Sequence, residues 1–225
     1  MKRQTRNLSL LSEHRLNAYT LAATAAGVGA LCFAKPAEAR IVYTPAHVAI
    51  KANGGPFFIY FGHDGTADFG FSNKWYVGEK SYRTLNVLQS RSTNEVWMTN
   101  SKACGTLSVA AALPKGKRIG PKRDFKHNAF AVMAAAIPTG SCGVWLGQSH
   151  LQAYLGLKFT IKGKIHFGWA RVKVDTEAQQ RPFLATLTGY AYETIPNKAI
   201  IAGATKGPDE ESGSLGALAA GAAGR

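Results

Sequence analysis

Residues 154–174 read YLGLKFTIKGKIHFGWARVKV. Two runs rich in apolar, β-branched and aromatic residues flank Lys162-Gly163-Lys164. In both runs apolar residues recur at alternate positions, the period of a strand rather than of a helix. If Lys162-Gly163 is a two-residue turn, Ile161 faces Lys164 and the register of the whole hairpin follows. Phe159 then opposes His166, Leu157 opposes Gly168, and Leu155 opposes Ala170. Val172 and Val174 prolong that face, which reads as core. The opposite face pairs Thr160 with Ile165, Lys158 with Phe167, Gly156 with Trp169, and Tyr154 with Arg171.

Two readings of that second face stand side by side. Trp169, Tyr154, Phe167, Arg171 and Lys158 could form a sugar platform: flat rings stack on pyranose faces, and cations bind hydroxyls or carboxylates. Gly156 would then leave the Trp169 ring uncovered. Alternatively a second sheet covers the face and Trp169 belongs to the core, as large aromatics usually do. A bulge at Gly163 would slip the register and exchange the two faces.

Outward from the hairpin, strand-like stretches recur with Gly, Pro, Asn and Asp between them. They are 41–50, 56–61, 68–71, 84–88, 95–99, 104–113, 183–192 and 199–203. Residues 129–136 (AFAVMAAA) are compatible with strand or helix. Many short strands without alternating helices predict an all-β fold, an antiparallel β-sandwich of jelly-roll-like kind, as one domain over residues 40–205.

The ends read differently. Met1–Ala39 has a basic leader (Lys2, Arg3, Arg6, Arg15), an uncharged run at Ala22–Ala34, and small residues at Ala37 and Ala39 around Glu38. This is the order of an export signal, with cleavage expected after Ala39. The uncharged run has 13 residues, and a membrane-crossing helix needs about 20. At the other end, residues 206–225 read as a disordered Gly/Ala-rich tail, and its uncharged part, Leu215–Gly224, is too short to span a bilayer. No stable membrane span is expected after cleavage.

Residues 40–225 carry 22 Lys and Arg against 11 Asp and Glu. Such a surface attracts polyanions over about 10 Å at moderate salt. Outside the cytoplasm the expected partner is an extracellular or acidic polysaccharide; specific nucleic-acid recognition is not expected. KGKRIGPKRDFKH (115–127) concentrates this charge in Lys115, Lys117, Arg118, Lys122, Arg123 and Lys126. Only Phe125 supplies an aromatic there, so a base-stacking groove has little support.

Cys104 and Cys142 are the two cysteines left after cleavage. In an oxidising compartment such a pair reads as a disulfide rather than a metal site.

HDGTADFGF (63–71) is the one metal-like stretch. Calcium loops of the form Asp-x-Asn-x-Asp-Gly-x-x-Asp-Phe match at Asp64, Gly65, Asp68 and Phe69. Tyr60 and Gly62 occupy the places of the first Asp and the Asn. Calcium takes six to eight oxygens, so Asp64 and Asp68 are at most a vestigial, weak site. A chain reversal at Asp64-Gly65 is the favoured reading, and no cofactor is expected. Enzyme signatures are thin. The chain holds no G-x-S-x-G, no H-E-x-x-H and no glycine-rich phosphate loop before a helix. His47, His63, His127, His150 and His166 are scattered singly.

The stretch 154–174 followed by LTGYAYETIPNKAIIAG (187–203) resembles a group of exported bacterial proteins, many of which carry PEP-CTERM-type sorting tails. The shared pattern is G-W-x-R with V-x-V after it, a strand ending in Y-A-Y-E, and a short I-x-A-G strand. DGTADF and LGALAAGAAGR fit the same layout. The tail departs from the pattern: Pro208-Asp209-Glu210 replaces Pro-Glu-Pro, the apolar segment is short, and a single Arg225 stands for a basic cluster. It is read as degenerate or truncated. The resemblance implies a secreted or surface β-sandwich associated with exopolysaccharide, and it brings no catalytic residue. Taken together, the expectation is an exported, non-enzymatic protein of the cell surface or extracellular matrix. The alternative is a carbohydrate-binding module using the Trp169 face, and a secreted hydrolase ranks third.

Overall fold

A computed structural model describes residues 40–62, 64–79, 81–147, 150–176 and 181–207. The expected export signal, and all but the first two residues of the expected tail, lie outside them. The strands are β1 (Ile41–Ala49), β2 (Phe57–Ile59), β3 (Phe69–Tyr76), β4 (Tyr82–Gln89), β5 (Glu95–Asn100), β6 (Ser108–Ala110) and β7 (Arg118–Ile119). They continue as β8 (Phe125–Lys126), β9 (Phe130–Ile137), β10 (Gly140–Cys142), β11 (Leu151–Ile161), β12 (Lys164–Asp175), β13 (Leu184–Glu193) and β14 (Ile200–Ile201). The only helical turn among the described residues is a 3-10 turn at Lys102–Cys104.

The fold is an antiparallel β-sandwich. One sheet runs β1-β13-β12-β11-β5-β6, with β8 also on β5; the second runs β10-β9-β4-β3-β2; β14 and β7 form a two-stranded ribbon. The β11–β12 hairpin has the register expected from its turn, with Ile161 opposite Lys164, Phe159 opposite His166 and Gly156 opposite Trp169. Lys162 and Gly163 have φ of 50° and 75°. A two-residue type I′ turn needs positive φ at both places, and glycine accepts it without cost.

Because side chains alternate, Leu155, Leu157, Phe159, Ala170, Val172 and Val174 all point one way. They meet Phe69, Phe71, Leu85, Val87 and Met133 of the opposing sheet in one buried cluster. Burying each large apolar side chain contributes about 1.5–3 kcal/mol, so this row anchors the two sheets together. The other face of β11–β12 is closed as well. Ala111, Leu113, Ile119, Ile200 and Ala202, from a strap that includes the β7–β14 ribbon, pack on Tyr154, Phe167 and Trp169.

The ambiguous stretch 129–136 falls on strand β9 from Phe130 onward, and Ala131, Met133 and Ala134 of that strand enter the core. The expected long strand over 104–113 is mostly not a strand. Its strand is confined to Ser108–Ala110, with a single further bridge from Leu113 to Tyr154, because the 3-10 turn and Gly105, at φ 63°, redirect the chain just before it. Cys104 is bonded to Cys142, with the two Cα atoms 5.0 Å apart. The bond ties the turn after β5 to β10, and so joins the two sheets across 38 residues of chain.

Candidate functional site

The face expected as a sugar platform is not open. Trp169, Phe167 and Tyr154 are 0 %, 1 % and 3 % exposed. The Trp169 ring meets Tyr154 edge-on at 5.3 Å and Tyr43 at 5.8 Å, and its Nε1 donates to the Ala204 carbonyl at 3.2 Å. Gly156 does leave space, but protein fills it: a Cβ there would sit 3.1 Å from both Leu113 Cδ1 and Trp97 Cβ. The polar members of the face are engaged too. Lys158 Nζ meets Glu95 Oε1 at 2.6 Å, and Arg171 donates from Nε to Thr188 Oγ1 at 2.8 Å and from a terminal nitrogen to the Thr188 carbonyl at 2.9 Å. The three aromatics are therefore interior, Lys158 and Arg171 are half-buried and already partnered, and the platform reading is corrected. The apolar strap offers the rings a larger release of surface from water than an occasional ligand could.

Asp64 and Asp68 do not form an oxygen cage. Asp68 is buried, and its Oδ2 accepts from the Phe61 N–H at 2.7 Å. Asp64 Oδ1 accepts from the Thr66 N–H at 3.0 Å, closing a local side-chain turn. Arg91 lies 2.6 Å from Asp64 Oδ2 and 3.8 Å from Asp68 Oδ1. The stretch does belong to a chain reversal, since β2 and β3 pair antiparallel with Ile59 opposite Phe69. The described residues between Ile59 and Phe69 make that reversal, a loop longer than a two-residue turn.

The six basic residues of 115–127 all lie exposed on or beside the strap. Arg123 sits 5.1 Å over the Trp97 ring and donates to the Arg118 carbonyl at 3.3 Å; Lys126 donates to Ser108 Oγ at 3.1 Å. The charge therefore coats the outer surface of the segment that seals the aromatic cluster.

A cleft of about 710 Å³ opens at one end of the sandwich. One wall is the 60–68 loop with Phe61, Gly62, Asp64 and Asp68; the other is the β11–β12 turn and the end of β13, with Lys162, Lys164, His166 and Tyr192. The origin of the cleft is visible in the hairpin register. Along the core face of β11–β12 the cross-strand pairs run Leu157–Gly168, Phe159–His166 and Ile161–Lys164, so the apolar row gives way to an imidazole and then an ammonium. The core ends there and water begins.

His166, at 6 % exposure, is a buried polar group of this cleft, as Asp68 is on the facing wall. Its Nδ1 lies 2.9 Å from the Glu193 main-chain oxygen. A carbonyl only accepts, so Nδ1 carries the proton, and in the neutral ring Nε2 presents its lone pair. The ring stacks on Phe159 at 6.3 Å and meets Tyr192 edge-on at 6.1 Å. Phe61 lies against Phe159 at 4.2 Å and against Tyr192 at 5.6 Å, which fixes the inner wall. Burial pushes the Tyr192 phenol above its ordinary value and keeps it neutral. Glu193 is buried with Oε1 accepting from the Ile195 N–H at 3.0 Å and Oε2 3.8 Å from Lys198. The cleft thus combines hydrogen-bonding groups, two cations and aromatic walls. Its nearby acids already hold partners. In the sequence His166 is one of several single histidines, and Phe61 and Tyr192 are strand residues. The signal that unites them is the hairpin register, which puts Lys164 and His166 on the core face beside the turn.

No protein-family model matches the chain, and no curated protein or solved structure is similar to it.

Proposed function

We propose that the chain works outside the cytoplasm as a non-enzymatic β-sandwich protein of the cell surface or extracellular matrix, where it holds acidic polysaccharide. The cleft between the sheet ends carries this reading. Its volume lies in the range of small-ligand sites, and it has cations and a hydrogen-bond acceptor at hand. Glycoside hydrolysis needs two carboxyl groups converging on one bond. Asp64, Asp68 and Glu193 instead accept from main-chain N–H groups or pair with Arg91 and Lys198, which favours holding over cleaving. The Cys104–Cys142 bond supports an oxidising compartment. The net positive charge of residues 40–225 favours an anionic partner.

Two measurements test the reading. Cell fractionation with thiol labelling should find the protein outside the cytoplasm with both cysteines blocked; a cytoplasmic protein with free thiols overturns the export half. Sedimentation with acidic and neutral polysaccharides at low and high salt tests the binding half, and failure to bind any acidic polymer overturns it.

A further inference from the structure

We propose that the end cleft is a binding site for a sugar carrying a carboxylate, such as a uronic-acid unit of an acidic polysaccharide. His166 Nε2 accepts a sugar hydroxyl there, and Lys162 and Lys164 hold the carboxylate. The proposal rests on the polysaccharide reading above and gives it a site and a class of sugar.

Three observations point to this chemistry. First, His166 is buried on the cleft wall with Nδ1 spent on the Glu193 carbonyl, and Nε2 has no partner among the described residues. Nε2 is open to the cleft, so a ligand that brings a donor can take the place of solvent there, which a hydroxyl does and a carboxylate or phosphodiester oxygen does not. Second, Lys162 and Lys164 flank the glycine of the turn, both exposed and both lining the cleft. Neither has an ion pair among the described residues. The acids on the facing wall cannot neutralise them, because Asp64 is paired with Arg91 at 2.6 Å and Asp68 accepts from the Phe61 N–H. With the partners of the nearby acids counted, Asp64, Asp68 and Glu193 stand against Arg91, Lys198, Lys162 and Lys164, which leaves one positive charge for a monoanion to balance. Third, the half-buried Tyr192 and Pro196 supply an apolar wall beside these polar groups, and Thr160 and Thr194 supply hydroxyls. A flat C–H face bounded by hydroxyls and one carboxylate is complementary to such a wall.

The experiment titrates the purified chain with a uronic-acid hexasaccharide, a neutral hexasaccharide of the same linkage, and inorganic phosphate, by calorimetry. Three variants accompany it. Lys162→Asn with Lys164→Gln removes both charges, and asparagine tolerates the positive φ of position 162. His166→Asn keeps a donor near the Glu193 carbonyl and removes the group at Nε2. Lys117→Gln with Lys122→Gln lowers the charge of the strap and leaves the cleft intact. Thermal melts confirm that each variant is folded. The expected result is binding of the uronic-acid oligosaccharide, weakened about tenfold or more by each cleft variant and less than about twofold by the strap variant. Equal binding of the neutral oligosaccharide, or of phosphate, overturns the assignment of the ligand. Unchanged affinity in the cleft variants with loss in the strap variant overturns the site, while the polysaccharide reading survives on the strap. A chain that binds neither the oligosaccharide nor any acidic polymer overturns both.

Discussion

Asp64 Oδ2 lies 2.6 Å from a terminal nitrogen of the Arg91 guanidinium, in the loop whose spacing imitates a calcium motif. The arginine occupies the place of a cation there. Calcium would have to displace it and also compete with the Thr66 N–H for the other oxygen. The melting temperature should therefore be the same, within about 1 °C, in millimolar calcium and in chelator, since a ligand of the folded state would raise it by mass action. A calcium-dependent rise would return the ion to this loop.

The same pair sets an acid-side dependence. The Arg91 hydrogen bond, helped by the Thr66 N–H, holds the Asp64 carboxyl below its ordinary 3.8. The fold favours the ionised form, so this stabilisation is complete above the unfolded value and is lost as pH falls through the folded one. Asp64→Asn should flatten the fall in melting temperature below pH about 4, by a small amount because the site is exposed. Identical acid profiles for the two proteins would remove Asp64 from the account.

On the alkaline side the relevant group is Tyr192, whose phenol burial pushes above its ordinary 10.0. The folded state favours the protonated form. That contribution is present below the unfolded value and is lost as pH rises through the folded one. Tyr192→Phe should lose less stability between pH about 9 and 11.5 than the parent, as read by urea titrations at each pH.

Trp169→Ala should destabilise by about 3–5 kcal/mol, the range for removing a large buried aromatic. Gly156→Ala should cost about 1–3 kcal/mol, because the new methyl would press on Leu113 and Trp97 at 3.1 Å. Denaturant midpoints measure both. If Trp169→Ala instead left stability intact and removed sugar binding, the strap would not cover this face in solution.

Replacing Cys104 and Cys142 together by alanine frees a loop of 38 residues in the unfolded chain. The chain-entropy model gives a loss of about 3–4 kcal/mol. Reductant should lower the melting temperature of the parent and leave the double variant unmoved. A parent indifferent to reductant would show that the bond contributes nothing to stability.

Much of the fold is legible in the sequence because its signals are local. Apolar alternation and Lys162-Gly163 specify the β11–β12 hairpin down to its register, since a type I′ turn admits few residues and a one-residue slip would reverse every side chain. The cysteine pair is legible once Cys32 is assigned to the expected export signal, which leaves Cys104 and Cys142 one pairing to make. Other elements are hidden where a polar residue serves an inward role. The stretch 68–71 announces only the first three residues of β3, because the next inward position is Asn73, buried and donating to the Ile50 and Phe183 carbonyls. Trp145 lies in a stretch with no strand signal, yet it is buried with its Nε1 on the Ala110 carbonyl at 3.0 Å.

By itself, then, the sequence determined the all-β class, the hairpin register and the two sets of residues that face opposite ways. Only the tertiary structure decided which of those sets is covered throughout and which ends at an opening. Trp169 is sealed by Leu113, Ile119, Ile200 and Ala202, residues remote from it in the chain, while Lys162, Lys164 and His166 are left at an opening bounded by the distant loop 60–68. Alternation is a property of neighbours along one strand. Burial depends on what another segment brings to the same face.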